Sequence, residues 1–131
     1  MRRQVRSYVP TLNLLTIDID PISTETVRSE AFDVFQGWDR SIWVEVSSAG
    51  VPNVKVSYEV AYWDEASNTF SDYVAPEDGG ILDTGLGDTN LHVYNFNPPV
   101  CASAKIVFKG QGANPADVSV VDLRGSWGNP E

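Results

Sequence analysis

Apolar and polar residues alternate with a period of two along much of this chain. The alternation is cleanest in two segments, 41–47 and 53–63, whose apolar stripes are Ile42, Val44 and Val46, and then Val54, Val56, Tyr58, Val60 and Tyr62. Successive side chains of a strand point to opposite faces, so each stripe predicts a strand with one buried and one solvated face. Residues 49–53, which include Gly50 and Pro52, predict a hairpin loop that joins the two strands.

Weaker versions of the same pattern predict the other strands. They cover 12–19, 26–35, 69–74, 81–83, 91–96, 102–109 and 117–124, with a bulge or bend near Glu30 in the second and with Ala104, Ile106 and Phe108 inward in the sixth. No stretch keeps a 3.6-residue period for three turns, which argues against helices. About eight short strands separated by turn residues are typical of an all-β, antiparallel β-sandwich, and their number favours a jelly-roll-like arrangement.

The chain has 131 residues, which is enough for one hydrophobic core. We divide it into an extended N-terminal arm (1–11), a β-sandwich domain (12–124) and a flexible C-terminal tail (125–131). The arginines near the N-terminus imitate those of an export signal, but the apolar run 14–17 is too short and Asp18 closes it. No apolar run approaches the ~20 residues that span a bilayer. We therefore expect no secretion signal and no membrane association.

Charge is distributed unevenly along the chain. Arg2, Arg3 and Arg6 are three of the nine basic residues, so the remainder carries a large excess of its 18 acidic residues. Nucleic-acid binding depends on Lys and Arg that neutralise phosphates, so the acidic body argues against it. We expect the basic arm to pair with an acidic neighbour, including a second copy of this chain, with a solvated terminus as the alternative.

The sequence offers few residues for catalysis. Cys101 is the only cysteine and His92 the only histidine, which excludes an internal disulfide, a thiolate cage and a His-based zinc site within the chain. His92 shares a strand face with Tyr94 and Phe96, as expected of a half-exposed strand histidine, and Cys101 fits a small buried filler. We therefore predict that the protein is not an enzyme and has no bound cofactor.

An acidic stretch is the one constellation that fits a metal ion. Between positions 64 and 88 the chain has seven acidic residues and no Lys or Arg. Ca²⁺ takes six to eight oxygen ligands, and Asp78, Asp83 and Asp88 lie on loops that could supply some of them. The spacing does not match an EF-hand, and the alternative is an ordinary acidic surface. These three residues are thus the calcium candidates.

Two tryptophans lie opposite the apolar stripes. Trp43 and Trp63 are exposed or at an interface if the stripes form the core. An exposed Trp can anchor a protein interface or stack on a sugar ring. The alternative is that a second sheet or the N-terminal segment covers them.

Taken together, these features resemble a known group of proteins. In chain order they are the basic arm, residues 32–43, the strand 54–60, residues 97–101, the strand 105–108 and the closing strand 117–123. Over roughly residues 26–124 this pattern is similar to the small β-sandwich virion proteins of tailed bacteriophages, which decorate or cement capsids or build tail parts. The resemblance implies a non-enzymatic, oligomeric and often trimeric protein that lacks a signal peptide.

We therefore predict a structural protein of a bacteriophage virion, most simply a capsid decoration or cement protein that assembles in the host cytoplasm. Its predicted partners are further copies of the chain, with a trimer favoured, and the major capsid protein or another virion protein. The predicted interface residues are Arg2, Arg3, Arg6, Tyr8, Trp43 and Trp63. The alternative function is a carbohydrate-binding module, for example in a receptor-binding part of a phage tail, whose partner is a polysaccharide.

Overall fold

The structure is a computed structural model that describes the backbone of residues 4–10, 15–16, 26–34, 39–112 and 114–128, and the side chains of 26–34, 40–112 and 114–123. These residues form strands and loops without any helix, so none in this part of the chain could cross a membrane as a helix. The strands are β1 (Gln4–Pro10), β2 (Leu15–Thr16), β3 (Thr26–Arg28), β4 (Phe32–Asp33), β5 (Asp39–Ser48), β6 (Val54–Ala61), β7 (Trp63–Asp64), β8 (Thr69–Phe70), β9 (Ile81–Leu86), β10 (Leu91–Asn95), β11 (Ser103–Gly110) and β12 (Ala116–Gly128).

The strands form two five-stranded antiparallel sheets and one small hairpin. Sheet A has the order β1-β12-β5-β10, with β2 also pairing with β12. Sheet B has the order β3-β11-β6-β9, with β4 also pairing with β11. Strands β7 and β8 pair with each other and lie in the connection between β6 and β9.

The strand order is that of a jelly roll. When the two-residue strands are set aside, eight strands remain, and by chain position the sheets read 1-8-3-6 and 2-7-4-5. The first strand pairs with the eighth, the second with the seventh, the third with the sixth and the fourth with the fifth. This is one long antiparallel ribbon wrapped into two facing sheets. The prediction of an all-β, jelly-roll-like sandwich is confirmed.

The core lies between the sheets and contains the predicted stripes of β5, β6 and β11, together with a stripe of β12 that was not predicted. Sheet A contributes Ile42, Val44, Val46, Ala116, Val118 and Val120, and sheet B contributes Val54, Val56, Tyr58, Ala104, Ile106 and Phe108. All of these side chains are buried. Burial of a Val, Ile or Phe side chain stabilises the fold by about 1.5–3 kcal/mol, so the stripes supply much of the driving force for folding.

The predicted hairpin between β5 and β6 is wrong. Strand β5 pairs with β12 and β10 in sheet A, whereas β6 pairs with β11 and β9 in sheet B. The loop 49–53 therefore crosses from one sheet to the other. A period of two shows which face of a strand is buried, but two buried faces can also meet across a core, as they do here.

The apolar stripe of β6 ends earlier than predicted. Tyr62 was expected inside but is 62% exposed, whereas Ala61 was expected outside but is buried. Strand β6 ends at Ala61, and Tyr73 reaches back across that end of the sheet, where its hydroxyl is 2.9 Å from Ser103 Oγ. Because Ser103 is directly opposite Ala61 in the sheet, this contact places the Tyr73 hydroxyl next to the Ser103–Ala61 pair.

The predicted break near Glu30 is confirmed. Strands β3 and β4 both pair with β11 and are separated at residues 29–31. The buried Ser29 fills the gap, since its N–H donates to the Ile106 carbonyl and its Oγ accepts from the Ile106 N–H, both at 2.9 Å. A hydroxyl thus replaces one rung of the ladder, which keeps the Ile106 backbone paired inside the protein.

The structure differs from the prediction at the two termini. Residues 4–10 of the predicted arm form β1, and residues 125–128 of the predicted tail form the end of β12. These segments pair with each other, from Gln4 opposite Gly128 to Pro10 opposite Leu123. Neither segment alternates clearly enough to predict a strand, but each satisfies the backbone groups of the other. Of the predicted interface residues, Arg2 and Arg3 lie outside the described part of the chain. Arg6 and Tyr8 lie on β1, where the structure describes the backbone but not the side chains.

Candidate functional site: two apolar surfaces

The first apolar surface lies on the outer face of sheet A. Val93 on β10 is opposite Trp43 on β5, which is in turn opposite Val121 on β12. Together with Leu91 these residues form what we call the outer-face patch. Leu91 and Val93 are 56% and 53% exposed, and Trp43 and Val121 are half-buried. The predicted interface residue Trp43 therefore lies at the centre of a solvent-facing apolar row.

The Trp43 side chain is oriented by its own strand. Its indole Nε1–H donates to Ser41 Oγ at 2.8 Å, two residues away on the same face. A tryptophan whose polar atom is already bonded presents its remaining surface as an apolar plate. This arrangement suits protein contact better than a ligand that needs the indole N–H.

The second apolar surface lies on and beside the β7–β8 hairpin. Trp63 is 43% exposed and packs edge-on against Phe70, with ring centroids 5.0 Å apart, and Phe70 contacts Tyr73. Tyr73 lies beneath the Lys105 ammonium, whose Nζ is 4.3 Å from the ring centroid. The predicted interface residue Trp63 is therefore exposed, as expected, but belongs to an aromatic cluster that the sequence did not reveal.

A groove of about 400 Å³ adjoins this hairpin, and we call it the hairpin groove. Its lining is largely apolar and consists of Val60, Ala61, Tyr62, Ser71, Asp72, Val74, Val100 and Cys101. Burial raises the pKa of the Cys101 thiol, against the opposing effect of Arg40. The half-buried Cys101 therefore remains a protonated thiol at neutral pH, which is the unreactive form of the side chain.

The three calcium candidates are engaged in their own turns. Asp78 Oδ1 accepts from the Gly80 N–H, Asp83 Oδ1 accepts from the Gly85 N–H, and Asp88 Oδ1 accepts from the Asn90 N–H, each at 2.9 Å. These are Asx turns, in which an aspartate fixes the backbone two residues on. Within the described side chains, no group of three or more His, Cys, Asp or Glu residues could hold a metal ion.

Asp83, which the structure places on β9 and not in a loop, and Asp88, in the loop between β9 and β10, both contact β10. The Tyr94 hydroxyl donates to Asp83 Oδ2 at 2.8 Å, and Asp88 Oδ1 is 2.6 Å from His92 Nε2. His92 stacks on Tyr94, as expected of residues that share a strand face, and is half-exposed. Burial, followed by the bond to Asp83, raises the pKa of Tyr94 well above its usual range. These two aspartates therefore tie strand β10 to β9 and to the loop between the two strands.

Sequence reasoning missed a buried ion pair between Arg40 and Asp122, whose Nη2 and Oδ2 atoms are 3.1 Å apart. Both residues continue the inward period of their strands, since Arg40 precedes Ile42 and Asp122 follows Val120 by two positions. That spacing is the feature of the sequence that could have predicted the ion pair. A charge at each of two inward positions is more informative than either charge alone, because buried charges occur mainly in pairs.

Comparisons with known proteins bear on the fold. No family model and no curated protein matches this chain. Among solved structures, a chain in the structure of infectious bursal disease virus (Gx strain) matches with a TM-score of 0.52 and 14% sequence identity. The match covers 96% of this chain but 33% of the viral one, so this chain spans about a third of the length of its neighbour. The β-sandwich described above is therefore similar in fold to part of a chain from this virus.

Proposed function

We propose that this protein is a non-enzymatic structural component of a virus particle. The observation that carries the proposal is the strand order, 1-8-3-6 facing 2-7-4-5, in a chain whose structural neighbour comes from a virus. Jelly rolls of this kind build viral capsids, although lectins and cupins also use them. The exposed Leu91 and Val93 support the proposal further, because apolar surface of this kind marks protein contacts.

We propose more specifically a bacteriophage capsid decoration or cement protein that forms a homo-oligomer, with a trimer favoured, and binds a major capsid or other virion protein. The resemblance in sequence pattern to phage β-sandwich proteins supports this assignment. So does the net charge of −9, since an acidic exterior keeps a protein that is present in many copies soluble. On this proposal the protein assembles in the host cytoplasm and is located in the virion.

The test is to look for the chain in particles. Virus particles purified by density gradient from the source of this sequence are probed with an antibody against the chain, before and after treatment that removes loosely bound proteins. Retention of the chain at a fixed ratio to the major capsid protein supports the proposal. Its absence from particles, in a lysate that contains the free protein, contradicts it.

A matched pair of variants links particle binding to the structure. Trp43→Ala removes the centre of the outer-face patch, and we expect it to weaken binding of the purified chain to stripped particles. Val51→Ala is the control, because Val51 is 68% exposed in a loop and lies outside both apolar surfaces. Equal binding by the two variants would exclude the outer-face patch as the capsid contact.

One observation favours carbohydrate binding as a second candidate. Exposed Trp63 and Tyr62 lie beside a groove that also contains Asp72 and Ser71, and sugar sites combine aromatic plates with such polar groups. The test is tryptophan fluorescence with a panel of polysaccharides, including the host surface polysaccharide. A response lost in Trp63→Ala but kept in Trp43→Ala supports the candidate, and a flat response across the panel removes it.

A further inference from the structure

Strand β10 is an edge strand of sheet A among the described residues, and its own sequence contains none of the residues that usually protect such an edge. In the part of the chain that the structure describes, β10 pairs with β5 on one side and with no strand on the other. Exposed edges are commonly protected by Lys, Pro, inward charges or bulges. The sequence of β10, Leu-His-Val-Tyr-Asn, contains no Lys, Arg, Asp, Glu or Pro, and its pairing with β5 has no register shift.

The backbone of β10 presents donors and acceptors outward. The Phe96 N–H donates to the Arg40 carbonyl at 3.3 Å, and Phe96 follows directly in register with the β10–β5 pairs. Hydrogen-bonded and non-hydrogen-bonded pairs alternate in an antiparallel ladder. Tyr94 and His92 therefore direct their backbone groups towards β5, whereas Leu91, Val93 and Asn95 direct theirs away from the sheet.

The same edge is self-complementary about Val93. If a second β10 pairs with it antiparallel, with Val93 opposite Val93, then Leu91 lies opposite Asn95 and His92 opposite Tyr94. The row through the two-fold axis reads Val121, Trp43, Val93, and then the same three residues in reverse order. This joins the two outer-face patches into one continuous apolar strip. The arrangement satisfies the free backbone groups of both strands at once.

The row at the two-fold axis, formed by Val121, Trp43 and Val93, contains no charged residue. Glu45 lies in the neighbouring row, opposite Leu91. In the pair, Asn95 of the second copy faces Leu91, so the two Glu45 side chains occupy different rows on opposite sides of the axis. His92 contacts Asp88 of its own chain, which keeps that charge engaged within each copy.

We propose that β10 is a docking edge for a second copy of this chain, and that the two sheets A join through antiparallel β10–β10 pairing centred on Val93. The inference names one partner within the assembly role proposed above and rests on that role. A two-fold isologous contact is also the commonest kind in homo-oligomers. The contact creates a continuous sheet in which β10 is no longer an edge.

Charge-swap variants at the two-fold axis give the test. Val93→Lys and Val93→Glu each place like charges directly opposite in the pair, which is destabilising. We expect each variant alone to raise the dimer dissociation constant about tenfold or more, and an equimolar mixture to restore dimers. Solution mass is measured by light scattering over a range of protein concentrations. Restoration by mixing is not expected of variants that merely fold poorly.

Ile81→Lys is the matched control, because Ile81 is 46% exposed on β9, the edge strand of the other sheet. This variant should dimerise like the unmodified chain. A disulfide provides a second measurement in the Cys101→Ser background. Val93→Cys should form a cross-linked dimer on oxidation, since Cα atoms of a hydrogen-bonded antiparallel pair are about 5.5 Å apart, within disulfide range. Ser47→Cys, exposed on β5, should not cross-link efficiently.

The outcomes separate this inference from the proposed function. A chain that stays monomeric at about 1 mM overturns the β10 contact, whatever happens on particles. So does an oligomer whose mass is unchanged in Val93→Lys, although that result would still support an assembly role. Particles that lack the chain while the β10 dimer forms in solution would overturn the virion role and leave the edge contact standing.

Discussion

Arg40 on β5 and Asp122 on β12 form an ion pair inside the core of the sandwich. Their side chains are 2% and 1% exposed, and the Arg40 guanidinium also lies 5.5 Å from the centre of the Phe32 ring. In the sheet Asp122 is opposite Ile42, so the pair runs diagonally between two neighbouring strands. Two charges buried among apolar side chains stabilise each other, so removal of either takes a bonded opposite charge away from the other.

We expect Asp122→Asn to lower the free energy of unfolding by about 3–5 kcal/mol, the usual cost of breaking a buried ion pair. Denaturation in urea, followed by circular dichroism, measures the change. The double variant Arg40→Met with Asp122→Leu is the control, and its stability should be close to that of the unmodified chain. A single variant as stable as the unmodified chain would show that the ion pair is not needed.

Gly80 is held where a side chain cannot fit. Its φ is +59°, and a Cβ atom would lie 2.8 Å from the Tyr58 carbonyl oxygen. The approach is close because the Gly80 carbonyl accepts from the Tyr58 N–H at 3.0 Å.

Gly80→Ala should therefore cost more than the about 1–2 kcal/mol of a left-handed alanine. Gly112→Ala is the matched control, since Gly112 has a φ of +81° with open space around its Cβ position. Thermal or urea unfolding measures both variants. Equal losses of stability in the two variants would show that the backbone around Gly80 can shift to accommodate a Cβ atom.

The raised pKa of Tyr94 predicts an alkaline transition. Burial and the bond to Asp83 disfavour the charged phenolate in the folded state. Because the folded pKa lies above the unfolded value of about 10, the stability contributed by Tyr94 is present below pH 10 and is lost as the pH rises beyond it.

Ultraviolet titration of tyrosinate should show a late step that Tyr94→Phe removes. Asp83→Asn should move that step to lower pH, because it removes the negative charge beside the phenol. If the late step survives unchanged in Tyr94→Phe, it belongs to another tyrosine. Tyr58 is the next candidate, since burial also raises its pKa.

The lowered pKa of Asp88 predicts a loss of stability at acid pH. The hydrogen bond with His92, and then the bond from the Asn90 N–H, lower the pKa of the Asp88 carboxyl below its usual value of 3.8. The stability linked to Asp88 is therefore present above about pH 4 and is lost as the pH falls through the lowered pKa. An NMR titration of the Asp88 carboxyl carbon should show its pKa rising towards 3.8 in His92→Ala. No change in that variant would contradict the His92 contact.

Periodicity predicted the parts of the fold that depend on one strand at a time. Ile42, Val44 and Val46 point inward because a strand has a period of two, and no partner strand is needed to know it. Partner choice depends on contacts between distant segments, so β5 and β6 were wrongly paired as a hairpin. The burial of Ala61 was missed for the same reason, since the neighbouring Ser103 contacts Tyr73, a residue twelve positions after Ala61.

The aromatic residues of the candidate site could be predicted from the sequence, but its aliphatic residues could not. Trp43 and Trp63 were identified because a large aromatic opposite a buried stripe has to face outward. Leu91 and Val93 were missed as surface residues, since in an isolated pattern exposed aliphatic side chains look like core. Their exposure follows from the position of β10 at the edge of sheet A, which depends on the strand order.

The pairing of β1 with the end of β12 has a consequence for biosynthesis. Residues 4–10 leave the ribosome early, but their partner residues, 123–128, emerge more than a hundred positions later. Sheet A therefore cannot be completed during translation of the first half of the chain, and the early segment must wait unpaired. Such long-range pairing is also slow once the chain is free. A nascent-chain arrest series should thus remain protease-sensitive until the last strand has cleared the exit tunnel.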